Sequence, residues 1–257
     1  MSEPLLQARS LSKRYDARIA CADISFDLDP GEVLAIVGES GSGKSTLLSL
    51  LSTELAPDSG SVSYRMRDGA LRDLATLSEA ERRALMRTDW GFVRQDAAQG
   101  LRMAVSAGGN VGERLMGLGD RHYGRIRARA LDWLDRVEIA ADRIDDPPTR
   151  FSGGMRQRLQ IARNLVTTPR LVLMDEPTSG LDVSVQARLL DLIRRLVAEL
   201  GLAVIIVTHD LAVARLLSHR VMVMREGRVV ETGLTDQVLD DPADAYTQLL
   251  VSSVLAA

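Results

Sequence analysis

The sequence predicts an α/β fold built on a largely parallel sheet. Three observations carry this. Apolar runs of strand character alternate with amphipathic helical stretches along most of the 257 residues. One such run, 33–37 (Val-Leu-Ala-Ile-Val), leads into a glycine-rich loop and then a helix. A second, 171–174, ends in the carboxylate pair Asp175-Glu176.

Along the chain, residues 5–9 and 24–28 read as strands, with Tyr15 in the loop between them. Asp29-Pro30-Gly31-Glu32 is a turn that delivers strand 33–37 into the loop. That loop reads Gly38-Glu39-Ser40-Gly41-Ser42-Gly43-Lys44-Ser45-Thr46 and fits G-x-x-x-x-G-K-[ST] without mismatch. Backbone N–H groups can wrap a polyphosphate only where no Cβ intervenes, which suits Gly41 and Gly43. A helix beginning near Lys44 turns its positive dipole end toward the phosphates. Lys44 is expected to reach the β/γ-phosphates and the Ser45 hydroxyl to complete a Mg²⁺ shell. Lysine occurs only at Lys13 and Lys44; the rest of the basic side chains are Arg. A compact ammonium therefore stands where a phosphate point contact is wanted.

The first helix closes at the turn 57–60, and 61–64 is a further strand. Ser78-Glu79-Ala80-Glu81 is a capping box that opens a short helix to Arg87. Strand 90–95 ends at the polar Gln95. The character then changes. Gly108-Gly109-Asn110 and 117–120 are expected to break 96–150 into helical pieces. Ile126, Ala130, Trp133, Leu134 and Val137 share one apolar face, which puts Trp133 in the core. The arginines between Arg121 and Arg129 read as a solvated helix face.

From residue 151 the α/β pattern resumes. Residues 155–166 are helical and 171–174 form a buried strand. Asp182 caps a helix whose apolar face carries Val185, Leu189, Leu192, Ile193, Leu196 and Val197. Strand 202–207, a hairpin turning at Glu226-Gly227 and a helical tail at 245–255 complete the chain.

Asp175 is placed to hold Mg²⁺, and Glu176 beside it to polarise an attacking water. His209 ends the strand after these and can contact a γ-phosphate. His122 and His219 lack such a context and read as surface residues. Phe151-Ser152-Gly153-Gly154-Met155 is a second glycine-rich segment opening a second helix. A nucleotide needs one phosphate loop, so the second is expected to grip a nucleotide held by another subunit.

Composition narrows the alternatives. With 32 basic and 35 acidic residues the formal charge is −3, so no basic excess points to nucleic acid. A single cysteine, Cys21, excludes a disulfide within the chain and any Cys-built metal site, and reads as a small buried residue. The first residues lack the features of a signal peptide, and no apolar run reaches the ~18–20 residues of a membrane span. The expectation is a cytoplasmic protein without direct membrane insertion.

Together and in this order, these motifs resemble those of the ATP-binding cassette (ABC) ATPases, over essentially the whole chain. The resemblance implies a P-loop NTPase with a RecA-like core, an N-terminal antiparallel β-subdomain and an inserted helical subdomain at about 96–165. All of it would form one nucleotide-binding domain over 1–257, using ATP and Mg²⁺. Residues 38–46 would be its phosphate loop and Tyr15 the aromatic stacked on adenine. Gln95 would be the Q-loop residue, near the metal and the water. Ser152, Gly153 and Gly154 belong to the signature, FSGGM here where LSGGQ is usual. Asp175 and Glu176 would close the second phosphate-site strand, and His209 would be the switch histidine. Ser179-Gly180-Leu181-Asp182 matches the D-loop, commonly SALD, with Gly180 in place of Ala. Met155 for Gln loses one polar contact.

The family works as head-to-tail pairs, so a homodimer is implied. Stretches outside the ATP motifs (100–114, 121–124, 142–146 and 248–255) resemble ABC subunits of bacterial carbon–phosphorus lyase systems. That implies lyase core-complex subunits as partners. The alternative is the ATP-binding subunit of an oligopeptide-, nickel- or phosphonate-type importer, which the segment 241–247 resembles. A regulatory or nucleic-acid-linked ABC protein is a third class, disfavoured by the acidic balance.

Overall fold

The computed structural model describes residues 3–16 and 18–255. In chain order the elements begin β1 (Leu6–Tyr15), β2 (Arg18–Leu28), β3 (Val33–Val37), α1 (Lys44–Leu51), β4 (Ser59–Arg65) and β5 (Leu71–Asp73). Next come α2 (Glu79–Thr88), β6 (Trp90–Val93), α3 (Ala97–Gly100), α4 (Ala107–Gly117), α5 (Tyr123–Arg136), α6 (Gly153–Leu165), β7 (Leu171–Asp175) and α7 (Val183–Leu200). The chain ends with β8 (Ala203–Thr208), α8 (Leu211–Leu217), β9 (Arg220–Arg225), β10 (Arg228–Leu234), α9 (Thr235–Asp240) and α10 (Ala245–Leu255). The elements fall into two compact units, one of Met1–Arg82 with Gly201–Ala257, the other of Arg83–Leu200.

The first unit holds an antiparallel sheet in the order β2-β1-β4-β5 and a run of strands β10-β9-β3-β8. All five residues of β3 and all six of β8 are buried. Burial of both faces is the mark of an interior parallel strand, and β3 pairs in parallel with β8 and with β9. β9 and β10 form the expected hairpin, with positive φ at Glu226 (49°) and Gly227 (79°). β1 and β2 run well beyond the predicted segments. Their extra residues alternate less clearly because β1 carries polar side chains on both faces at Ser12–Tyr15. Tyr15 is accordingly the last residue of β1, paired with Arg18, and not a loop residue.

In the second unit β6 and β7 pair in parallel. The carboxylate of Asp89, 2% exposed, meets Arg170 Nη2 at 2.6 Å where the two strands begin. The α5 face is as expected, with Ala130, Trp133 and Leu134 buried. The arginines of that helix are more engaged than a solvated face requires. Arg127 bonds both oxygens of Asp145, each at 2.7 Å, and Arg125 meets Asp120 at 3.1 Å. Chiefly through hydrogen bonds, these arginines hold the carboxyls of Asp145 and Asp120 below the usual carboxylate range.

Gly108-Gly109-Asn110 does not break the chain: it lies in the first turn of α4. The glycines serve close approach. A Cβ on Gly108 would meet Ile144 Cγ1 at 2.6 Å, and one on Gly112 would meet Ile126 Cγ2 at 2.6 Å. The Gly108 N–H donates to the Ile144 carbonyl at 2.8 Å. Fully buried Asn110 donates to the carbonyls of Arg102, Val105 and Ser106 at 3.1, 2.9 and 3.1 Å and accepts from the Arg102 N–H at 2.8 Å. The Gly108→Ala variant is expected to lose about 1–3 kcal/mol of stability, measured by urea unfolding. Unchanged stability would mean that Ile144 yields at no cost.

The capping box forms as read: Ser78 N–H donates to Glu81 Oε2 at 2.8 Å and Glu81 N–H to Ser78 Oγ at 3.3 Å. Among the described residues no helix is long and apolar enough to cross a membrane.

Candidate functional site

The first unit carries the phosphate loop between β3 and α1. Its backbone is pressed against its neighbours from two sides. A Cβ on Gly38 (φ 147°) would stand 2.2 Å from the Met224 carbonyl oxygen, and one on Gly43 (φ 107°) 2.0 Å from that of Ala20. Only glycine fits either position. The hairpin also reaches in directly, with Gly227 N–H donating to the Ser42 carbonyl at 2.9 Å. Lys44 is 7% exposed, and its Nζ donates to the carbonyls of Gly38 and Glu39, both at 2.8 Å. No side chain caps the start of α1, whose N-cap is Gly43. Its first turn is thus not occupied by a capping side chain, as an anion site requires.

A cavity of ≈ 330 Å³ opens there, lined by Tyr15, Arg18, Ala20, Gly41, Gly43, Lys44, Ser45 and Thr46. Half-exposed Tyr15 and exposed Ser45 face it from opposite elements. Aromatic ring, ammonium, hydroxyl and uncapped helix start suit the base and phosphates of a nucleoside triphosphate. Arg18 was not legible in the sequence: its Nη2 donates to the Gly41 carbonyl at 2.7 Å. A strand arginine carries no motif, and only the fold brings β2 under the loop. Cys21 packs below, its Sγ 3.9 Å from the Gly43 carbonyl, and burial pushes its thiol up to about 12, which removes it as a nucleophile. His209 is exposed just after β8, ahead of Asp210, which caps α8 by accepting from Ala212 N–H at 2.8 Å. Exposed His219 has a structural task, its Nδ1 accepting from Val33 N–H at 2.9 Å.

The second unit brings together Gln95, the signature segment and the D-loop around a cavity of ≈ 360 Å³. Its walls include Gln95, Gly153, Arg156, Gln157, Ser179 and Gly180. Gln95 Nε2 donates to Ser179 Oγ at 3.1 Å. The signature helix α6 fixes the neighbouring backbone: Gln160 Oε1 accepts from Arg94 N–H at 2.7 Å, and Gln157 Nε2 donates to the Arg94 carbonyl at 3.1 Å. Ser152 caps α6, its Oγ accepting from Met155 N–H at 3.3 Å. As an acceptor there, the exposed hydroxyl still has its proton to donate. Gly154 is buried, and a Cβ on it would lie 2.5 Å from Val185 Cγ1. Asp182 is exposed, and its carbonyl accepts from Gln186 N–H at 2.8 Å at the start of α7. β7 ends at Asp175, and Glu176 follows with φ 44°, a left-handed conformation uncommon for a residue with a side chain.

The ligands expected for Mg²⁺ are a hydroxyl of the first unit and a carboxylate of the second, each taken by itself. Mg²⁺ is commonly bound through one or two carboxylates together with substrate phosphates. Ser45 and Asp175 are of the right chemistry, and among the described residues no group of three or more His, Cys, Asp or Glu forms a protein-only metal cage.

A phosphate loop of this geometry on an α/β core defines a P-loop nucleotide-binding protein, and residues 21–179 match the ABC transporter family. The chain belongs to that family and is an ABC ATPase with the fold of its nucleotide-binding domains. It is 64% identical over 255 residues, 99% of each chain, to the phosphonates utilization ATP-binding protein PhnK of Escherichia coli (strain K12). It is 38% identical to a peptide import ATP-binding protein of Brucella ovis, covering 98% of this chain and 78% of that one. The dimeric, ADP- and Pi-bound structure of the ATP-binding cassette MJ0796 superimposes with a TM-score of 0.79 at 29% identity, covering 90% of this chain and 98% of that one.

Proposed function

We propose that this chain is the ATP-binding and -hydrolysing subunit of a carbon–phosphorus lyase system. In it a head-to-tail homodimer would couple ATP hydrolysis to conformational change during phosphonate breakdown. The observation that carries the reading is the end-to-end similarity to the phosphonates utilization protein, 64% over 99% of both chains. The two units are assigned to one cytoplasmic nucleotide-binding domain over 1–257, with residues about 96–165 as its helical subdomain.

In this reading Gly38 to Thr46 cradle the phosphates, Lys44 answers the β/γ charge, and Tyr15 stacks on adenine. Ser45 and Asp175, with Gln95, would hold Mg²⁺, whose charge would offset that of the phosphates. Glu176 polarises the water, Gln95 orients it, and His209 contacts the γ-phosphate. Ser152, Gly153 and Gly154 serve the nucleotide of the other copy, which the free Ser152 proton and the exposed start of α6 support. Asp182 is assigned to the same shared nucleotide.

Co-purification from the native host tests the assignment: soluble lyase subunits are expected, and integral membrane proteins would overturn it. Specific ATPase activity is also expected to rise with protein concentration, and a concentration-independent monomeric ATPase would remove the shared site. The second reading, a subunit of an importer, is favoured by the similarity to the Brucella ovis protein and predicts the membrane partners instead.

A further inference from the structure

The segment 241–247 stands outside the nucleotide motifs, yet it reaches the phosphate loop. The Gly38–Glu39 peptide is held at both ends. Its carbonyl, that of Gly38, accepts from Lys44 Nζ at 2.8 Å. Its N–H, that of Glu39, donates to Tyr246 Oη at 3.2 Å, across 207 residues of sequence. The following carbonyl, that of Glu39, takes a second bond from Lys44 Nζ at 2.8 Å. The ammonium therefore rests on two carbonyls flanking the N–H that the tyrosine hydroxyl holds.

The tyrosine itself is firmly placed. It is 7% exposed, and the Arg225 guanidinium lies over its ring at 4.9 Å. Its backbone N–H donates to Asp244 Oδ1 at 2.8 Å. The Glu231 carboxylate of β10 accepts from the N–H groups of Ala243 and Asp244 at 2.9 and 3.1 Å. Ring stack, carboxylate anchor and helix start all fix the side chain whose one polar atom meets the loop.

We propose that Tyr246 is a positioning residue for the phosphate loop: its hydroxyl fixes the Gly38–Glu39 peptide plane and, through it, the resting place of Lys44. The inference rests on the ATP reading of the loop and extends that site to α10. A plane released from this bond keeps only its Lys44 contact and is less constrained. Nucleotide binding must then order it, and that cost falls on affinity and not on the chemical step.

Tyr246→Phe keeps the ring and the Arg225 stack and removes only the hydroxyl. Its KM and dissociation constant for ATP are expected to rise about 3–10-fold, the weight of one neutral hydrogen bond, with kcat within about two-fold of wild type. Its thermal midpoint should stay within about 2 °C. Leu249→Ala, at an exposed residue that lines a surface pocket together with Glu39 and Tyr246, should leave KM unchanged. Wild-type affinity in the Phe variant would overturn the proposal. So would a fall in kcat at constant KM, or a loss of affinity that parallels a loss of thermal stability. Failure of the ATP reading is separable: it would show as no saturable ATP binding by the wild-type protein, whatever Tyr246 does.

Discussion

Glu176→Gln is expected to lower ATP turnover by about 10²–10⁴-fold while ATP binding persists. The magnitude is that of removing a positioned general base. Gln keeps the shape of the side chain and, with it, the backbone at φ 44°, but loses the charge that draws the proton from water. The dimer should then accumulate with ATP bound, because assembly precedes hydrolysis in the proposed cycle. Single-turnover ATPase assays together with size-exclusion chromatography in ATP give both readouts. Multiple turnover at the wild-type rate would take Glu176 out of this role.

Lys44→Ala is expected to weaken ATP binding by about 10²-fold, corresponding to about 3 kcal/mol of charge-assisted hydrogen bonding. Lys44 is 7% exposed and its ammonium is already turned onto two loop carbonyls, so the proposed phosphate contact would be made from within the loop. Lys44→Arg should rescue poorly: a planar guanidinium does not fit a niche shaped for a point charge. Titration with a fluorescent ATP analogue measures both variants. Wild-type affinity in Lys44→Ala would mean that the loop N–H groups alone carry the phosphates.

The parts of the fold that were legible are those where local chemistry and tertiary context agree. β3 matches its predicted bounds and α1 its predicted start because a wholly apolar strand, a glycine loop and a helix start follow one another without conflict, whereas α1 ends at Leu51, short of the turn at 57–60 expected to close it. α10 was equally plain. β5, α3, α8 and α9 are three to seven residues long, too short for a period to emerge. The glycine pair at 108–109 misled because Gly108 makes room for a side chain distant in sequence, Ile144, that no local rule contains. The candidate site divides in the same way. Residues 38–46 were readable from spacing, since phosphate chemistry demands particular groups at particular offsets, whereas Tyr15 and Gln95 were placed by the family resemblance. Arg18 and Tyr246 were legible by neither route, because each reaches the loop by a contact that only the completed fold makes.

The backbone at Glu176 sets stability against activity. A left-handed φ costs a residue with a side chain roughly 1 kcal/mol or more, and glycine would adopt it freely. Selection for thermal robustness alone would thus favour Gly at 176, and selection for catalysis would oppose it. Stabilising the protein by consensus or directed evolution therefore carries a particular hazard at this turn: with Glu176 in its proposed role, the substitution that relaxes the chain would also silence it.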